Sequence, residues 1–270
     1  MKIALIGCGF IGGFIAQAIA DKKIDADLLA VLDRHRDNTK KICSLFEIRP
    51  KIAQDIADIL DSDAELVVEA ASIEAVKLFA LDILKSKKNM MIMSTGVFAD
   101  QDFYKKVIET AKENNAQVYL PSGAIGGLDA LRSASYDKIE EVTLETVKNP
   151  QSFKGAPYLL KNKILLEDIH KKRILFEGNA AEAIEGFPAN VNVAVALGLA
   201  GLGVKKTQVR IIADPEVRQN IHKINVKGEF GEFSFSIKNL PSHQNPKTSY
   251  LAALSALATL QKIISPLKIA

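Results

Sequence analysis

A short apolar run, Lys2-Ile3-Ala4-Leu5-Ile6, passes directly into Gly7-Cys8-Gly9-Phe10-Ile11-Gly12, and few folds admit that succession. An apolar run bounded at once by glycine reads as a buried strand, and Phe10 to Ala20 continues with helix formers and no proline. In G-x-G-x-x-G the three glycines do different things. Gly7 permits a tight turn, Gly9 lets a pyrophosphate approach the backbone, and Gly12 lets the helix pack close to the strand. Phe10 and Ile11 open the helix, whose free N–H groups and positive dipole end suit phosphate. A second apolar run, Leu28-Leu29-Ala30-Val31-Leu32, ends on Asp33. About twenty residues beyond Gly12, a carboxylate there can accept hydrogen bonds from an adenosine ribose. Its charge repels a 2′-phosphate and favours NAD; Arg34 and Arg36 can attract one, so NADP stays open.

The same segment has a competing reading as a signal peptide, because residues 3–20 carry no charge and Ala18-Ile19-Ala20 resembles a cleavage site. Its four glycines make a poor hydrophobic core, and cleavage would remove a strand that the following segments need. Elsewhere 35 basic and 32 acidic residues nearly cancel, so no strong field argues for nucleic acid or a membrane surface. The two cysteines exclude a disulfide framework and a cysteine zinc site and suit a reducing cytoplasm. No later apolar run is long enough to span a bilayer. A soluble, cytoplasmic protein is expected, long enough at 270 residues for two domains.

Strands and helices alternate to about residue 120. Helices are expected over 39–46, 54–60 and 102–114, with another beginning after Ser72, and strands three to five over 65–71, 89–94 and 117–120. Ser72 is placed to cap its helix, and Ile73, Val76, Ala80 and Ile83 recur on one face. Alternation of this kind means parallel pairing and a doubly wound, Rossmann-type α/β sheet, with ligands beyond the carboxyl ends of the strands. Ala71 and Ser72 stand at one such end. After Pro121 the alternation stops. A strand is expected over 141–147, loop over 151–172, helices over 180–184 and 190–201, a strand over 206–213, and a hairpin over 220–237 turning at Gly228 and Gly231. These elements suggest a second, α+β domain. Asn245-Pro246 reads as a cap with proline at the first helical position. The helix after it, 250–260, is apolar nearly all round and is expected to be buried and to return to the first domain. The domains are thus 1–121 plus 246–270 for dinucleotide, and 122–245 for substrate, catalysis and oligomerisation.

Strand alternation sets His222 on one face with Ile224 and Val226, while Lys223, Asn225 and Lys227 face the other way. An imidazole so placed is either a hydrogen-bonded core residue or a proton acceptor. No spacing among the four histidines suggests a metal site. Asn190 and Asn192 start a helix, as caps or as amides for a ligand. Ser122 to Gly127 offers small residues where a backbone can approach a nicotinamide. Lys247-Thr248-Ser249 can bind a carboxylate or simply cap.

Taken together, Ile6 to Gly12, Val68-Glu69-Ala70-Ala71-Ser72, Ser94-Thr95-Gly96, Pro121 to Ala130, Asn190-Val191-Asn192-Val193-Ala194, Ala213-Asp214-Pro215, Asn220-Ile221-His222 and Asn245-Pro246-Lys247-Thr248-Ser249 resemble L-aspartate dehydrogenases of the NAD-biosynthetic type. The similarity runs over essentially the whole chain and is weakest at 151–173. It implies oxidation of L-aspartate to iminosuccinate with NAD or NADP, the imine feeding quinolinate and then NAD. It also implies that His222 is the active-site residue and that Ala124 and Asn190 contact the dinucleotide. Lys247 and Thr248 are the expected partners of the substrate carboxylates, and a homodimer is the expected assembly. Other two-domain nicotinamide enzymes (dihydrodipicolinate-reductase-like or homoserine-dehydrogenase-like) and a non-catalytic NAD sensor are the alternatives. The block from Ala213 to His222 argues against the former, and the lack of a basic recognition helix against a DNA-binding form of the latter.

Overall fold

The computed structural model describes residues 1–188, 191–242 and 248–268. Asn190, His243, Asn245, Pro246 and Lys247 therefore lie outside the described residues. The chain divides into two units, Met1–Pro121 with Ala253–Ala270, and Ser122–Ala252. The return falls inside the last helix rather than at the expected loop before 246.

The first unit runs β1 (Lys2–Ile6), α1 (Phe10–Ala20), β2 (Asp27–Leu32), α2 (Arg36–Cys43), β3 (Lys51–Ile52), α3 (Ala57–Leu60), β4 (Leu66–Glu69), α4 (Ile73–Lys85), β5 (Asn89–Ile92), α5 (Gln101–Glu113) and β6 (Val118–Tyr119). Its six strands pair in the order β3-β2-β1-β4-β5-β6, all parallel. The central strands β1 and β4 are buried nearly throughout, as a sheet covered on both faces requires. Two side-chain caps fix where helices begin: the Ser72 hydroxyl accepts from Ala75 N, and Asp100 from Phe103 N. On α4 the expected stripe holds, with Val76, Ala80 and Ile83 fully buried. The doubly wound sheet is the one expected, with one strand more. At two residues, β3 is too short for any periodicity to reveal it.

The second unit runs α6 (Leu128–Ala134), β7 (Ile139–Lys148), α7 (Pro157–Lys161), β8 (Arg173–Asn179), α8 (Ala180–Gly186), α9 (Asn192–Ala200), β9 (Gln208–Ala213), β10 (Asn220–Gly228) and β11 (Gly231–Asn239). Its five strands lie in the order β11-β10-β7-β9-β8, with β7 parallel to β9 and the other pairs antiparallel. This is the expected α+β domain with an additional strand, β8. A register shift between Ile174 and Phe176 breaks its alternation, so no strand is expected there from sequence. Its end passes straight into α8 through a capping box between Asn179 and Glu182.

The last helix, α10 (Tyr250–Ile264), returns to the first unit, where Ala256 and Leu260 join the core around Leu5, Ile15 and Val31. It is not buried all round: Tyr250 and Leu254 are exposed. Among the described residues no helix is long and apolar enough to cross a membrane.

Candidate active site

The glycine loop connects β1 to α1 at the carboxyl end of the sheet. Gly7 has φ +93°, and a Cβ there would lie 2.6 Å from the Ala70 carbonyl carbon. A Cβ on Gly12 would collide with the Gly7 oxygen, so only glycine lets the helix start this close to the strand. Beside Gly9, by contrast, a Cβ would meet nothing within 4 Å, and Gly9 caps α1 without any side-chain hydrogen bond. The open face at Gly9 and the uncapped helix N-terminus fit a dinucleotide pyrophosphate. Phe10 and Ile11, the first two residues of α1, are half-buried there.

Asp33, just past β2, already engages this loop. One carboxylate oxygen accepts from Cys8 N at 2.6 Å and the other from His35 N at 2.7 Å. Each oxygen keeps a second lone pair for a ribose hydroxyl. Arg34 is exposed beside it. Burial, then the charge of Asp33 and the nearby Cys43, pushes the Cys8 thiol up to about 12, so it is no nucleophile at neutral pH.

A buried carboxylate braces the neighbouring loops. Glu69, at the end of β4, accepts from Ala71 N at 2.8 Å and from Ser94 through both N and Oγ, at 3.0 and 2.8 Å. Burial raises its pKa while those donors oppose the rise. The carboxylate ties the loop after β4, which carries Ala71 and Ser72, to the loop after β5. Ala71 is exposed and Ser72 half-buried at this end of the sheet. Sequence reasoning misses Glu69 because its partner Ser94 is distant in sequence and periodicity links no such pair.

In the second unit His222 and its strand neighbours face as expected, with His222, Ile224 and Val226 each 1% exposed and Lys223, Asn225 and Lys227 exposed. The buried face of this sheet is apolar towards one end, through Val142, Leu144, Ile224 and Val226, and polar towards the other. There the His222 Nδ1 lies 3.0 Å from Thr146 Oγ1 on the paired position of β7. Asn220 donates to Ser249 Oγ at 3.1 Å, and Asn239 to the Ala124 carbonyl at 2.8 Å. The buried Ala124 is thereby fixed against β11, and half-buried Thr248 accepts from Ser242 N through its carbonyl. Burial, with the charge of Lys148, lowers the His222 pKa to about 3, so the ring is neutral at neutral pH. Lys148 itself lies one residue beyond the strand expected from sequence, which ends at Val147. Alternation continued by that one residue places it on the face of Thr146 and His222. Among the described residues no group of three or more His, Cys, Asp or Glu is placed to hold a metal ion.

A parallel sheet with this glycine loop and an acid directly after β2, followed by a mixed sheet burying a neutral imidazole, places the chain among the two-domain nicotinamide-dependent dehydrogenases. Two family models divide it accordingly: "Homoserine dehydrogenase, NAD binding domain" matches residues 7–121, and "Aspartate dehydrogenase, C-terminal" matches residues 129–263. The chain belongs to the L-aspartate dehydrogenase family. It is 46% identical over 269 residues to L-aspartate dehydrogenase of Methanosarcina mazei, covering 100% of this chain and 99% of that one. To the Methanocaldococcus jannaschii enzyme of the same name it is 41% identical over 270 residues, again covering 100% and 99%. The crystal structure of aspartate dehydrogenase from Thermotoga maritima superposes with a TM-score of 0.75 at 32% identity, covering 100% of this chain and 99% of that one.

Proposed function

We propose that this chain oxidises L-aspartate to iminosuccinate with NAD, runs in reverse from oxaloacetate and ammonia, and supplies the imine to quinolinate and NAD synthesis. The observation that carries the reading is His222, a neutral imidazole held in a polar cluster at the end of an otherwise apolar sheet face. Bound NAD supplies the hydride acceptor at nicotinamide C4. Gly7, Gly9, Phe10, Ile11 and Gly12 hold its pyrophosphate, Asp33 its ribose, and Ala71 and Ser72 border it; Ala124 and Asn190 meet the nicotinamide. L-Aspartate must lose one ammonium proton so that its nitrogen lone pair can form the C=N bond as hydride leaves Cα. The Nδ1 bond to Thr146 leaves His222 Nε2 to take that proton. Thr248 and Lys247 lie in the segment we assign to the substrate carboxylates. A cytoplasmic homodimer is the working form this reading carries, supported by two buried free cysteines and by the commonness of two-fold assemblies.

Absorbance of reduced cofactor tests the activity: NADH should form with L-aspartate and be consumed with oxaloacetate plus ammonia. Turnover of homoserine or dihydrodipicolinate in place of L-aspartate would transfer the chain to the alternative enzymes, and binding without any turnover to a sensor. Cofactor choice has its own test. Asp33→Ala is expected to weaken NADH binding about tenfold, the effect of losing a charge-assisted hydrogen bond, and to narrow the preference over NADPH. Fluorescence titration of both cofactors reads this; unchanged NADH affinity removes Asp33 as the ribose ligand.

A further inference from the structure

Three ionic side chains other than histidine are buried among the described residues: Glu69, Lys88 and Lys148. The first two belong to the first unit, where Lys88 donates to the Ser62 and Ala64 carbonyls and Glu69 braces the strand-end loops. Lys148 alone lies in the second, at the end of β7 and 3% exposed. Its backbone is fixed there by pairing with Ala213 and by Asp214 N donating to its carbonyl. Residues directly opposite in an antiparallel pair share a face, as do residues two apart on one strand. His222 is opposite Thr146, so Lys148 is the diagonal neighbour of His222 on the same buried face. Of the other charged residues of these two strands, Glu141, Glu145, Lys223 and Lys227 are on the opposite face, where Glu145 pairs with Lys223, and Glu140 is exposed at the far end of β7 beside a register shift.

We propose that Lys148 is the cation that receives a carboxylate of the substrate beside His222. The identity of that substrate rests on the aspartate reading above, and its chemistry is that of a small dicarboxylate. Burial lowers the Lys148 pKa to about 8, which still leaves the amine largely charged at neutral pH, and that charge reaches the imidazole electrostatically. An ammonium in this setting gains more from a carboxylate than one in water would, since little solvent is left to compete. The arriving negative charge also offsets the effect of Lys148 on His222, so that substrate binding raises the basicity of the residue that must take the proton. Lys148 so acts on specificity through its own contact and on the base through charge.

The test uses the full chain with NADH bound, and succinate as an unreactive dicarboxylate. Calorimetry is expected to show succinate binding about 30-fold weaker in Lys148→Met and partly restored in Lys148→Arg. NADH fluorescence titration should be unchanged in both. In steady state, KM for L-aspartate should rise by a similar factor with a smaller change in kcat. The preference for L-aspartate over L-asparagine should shrink in Lys148→Met, which a merely structural lysine would not produce. If Lys148→Met does not fold, Lys148→Gln carries the same comparison. Undiminished succinate binding in the variant, no succinate binding by the wild type, or equal losses for aspartate and asparagine overturns the proposal. A wild type that fails to oxidise L-aspartate, yet binds succinate through Lys148, overturns the function above and leaves this site standing.

Discussion

His222→Ala is expected to bind NADH as tightly as the wild type and to turn over L-aspartate about 10²-fold more slowly or worse, the usual scale for losing a positioned acid–base group. Affinity should hold because the dinucleotide loop, Asp33 and the Glu69 brace all belong to the first unit, whereas His222 sits on β10 of the second. Turnover should fall because nothing else described on that sheet face offers a neutral nitrogen base: Thr146 is a hydroxyl, Asn220 and Asn239 are amides, and Lys148 is cationic. Removing the ring also strips Thr146 Oγ1 of its partner, so some lost stability accompanies the substitution. His222→Gln separates the two effects, since it keeps a polar side chain but no basic nitrogen. Both variants should show the turnover loss while binding NADH normally. Near-wild-type turnover in either would make His222 a core residue and end the mechanism.

Local signals carry most of what positions the dinucleotide half. Gly7, Gly9, Gly12 and Asp33 lie within one β-α-β stretch, where each requirement is a matter of neighbouring residues, and the structure supplies the backbone clashes that the spacing implies. His222 is legible for a similar reason, because period-two alternation acts within a single strand. Longer-range pairings are not legible. Glu69 reads as one polar residue in an apolar run until β5 brings Ser94 to it. Lys148 reads as the charged residue after a strand until β10 is laid beside β7. The strands that pattern does not reveal, β3 and β8, exist through their partners: β3 has only two residues to pair with β2, and β8 is kinked by its register shift against β9. Edge strands of this kind draw their stability from the sheet they join, so their own residues carry little pattern.

The burial that keeps His222 neutral should also make the fold acid-sensitive, with a sign that follows from linkage. Its pKa is about 3 in the folded chain against 6.5 when exposed. Between those values the unfolded chain binds a proton that the folded chain refuses, so stability is complete above about pH 6.5 and is lost progressively as pH falls towards 3. At 1.4 kcal/mol for each unit, this one group accounts for on the order of 5 kcal/mol across the window, and about 3 kcal/mol of it by pH 4. That is a large part of the 5–15 kcal/mol that separates folded from unfolded states in typical domains. Lys148 contributes in the same direction at the other end: lowered to about 8 from 10.5, it favours the fold increasingly as pH rises through that interval. Urea unfolding of the wild type and of His222→Gln at pH 7 and pH 4 isolates the imidazole. The wild type should lose about 3 kcal/mol more than the variant on acidification, because glutamine has no proton to gain. Parallel losses in the two proteins would mean that the ring accepts its proton without opening the sheet, and that His222 is far better solvated than its position beside Thr146 and Lys148 allows.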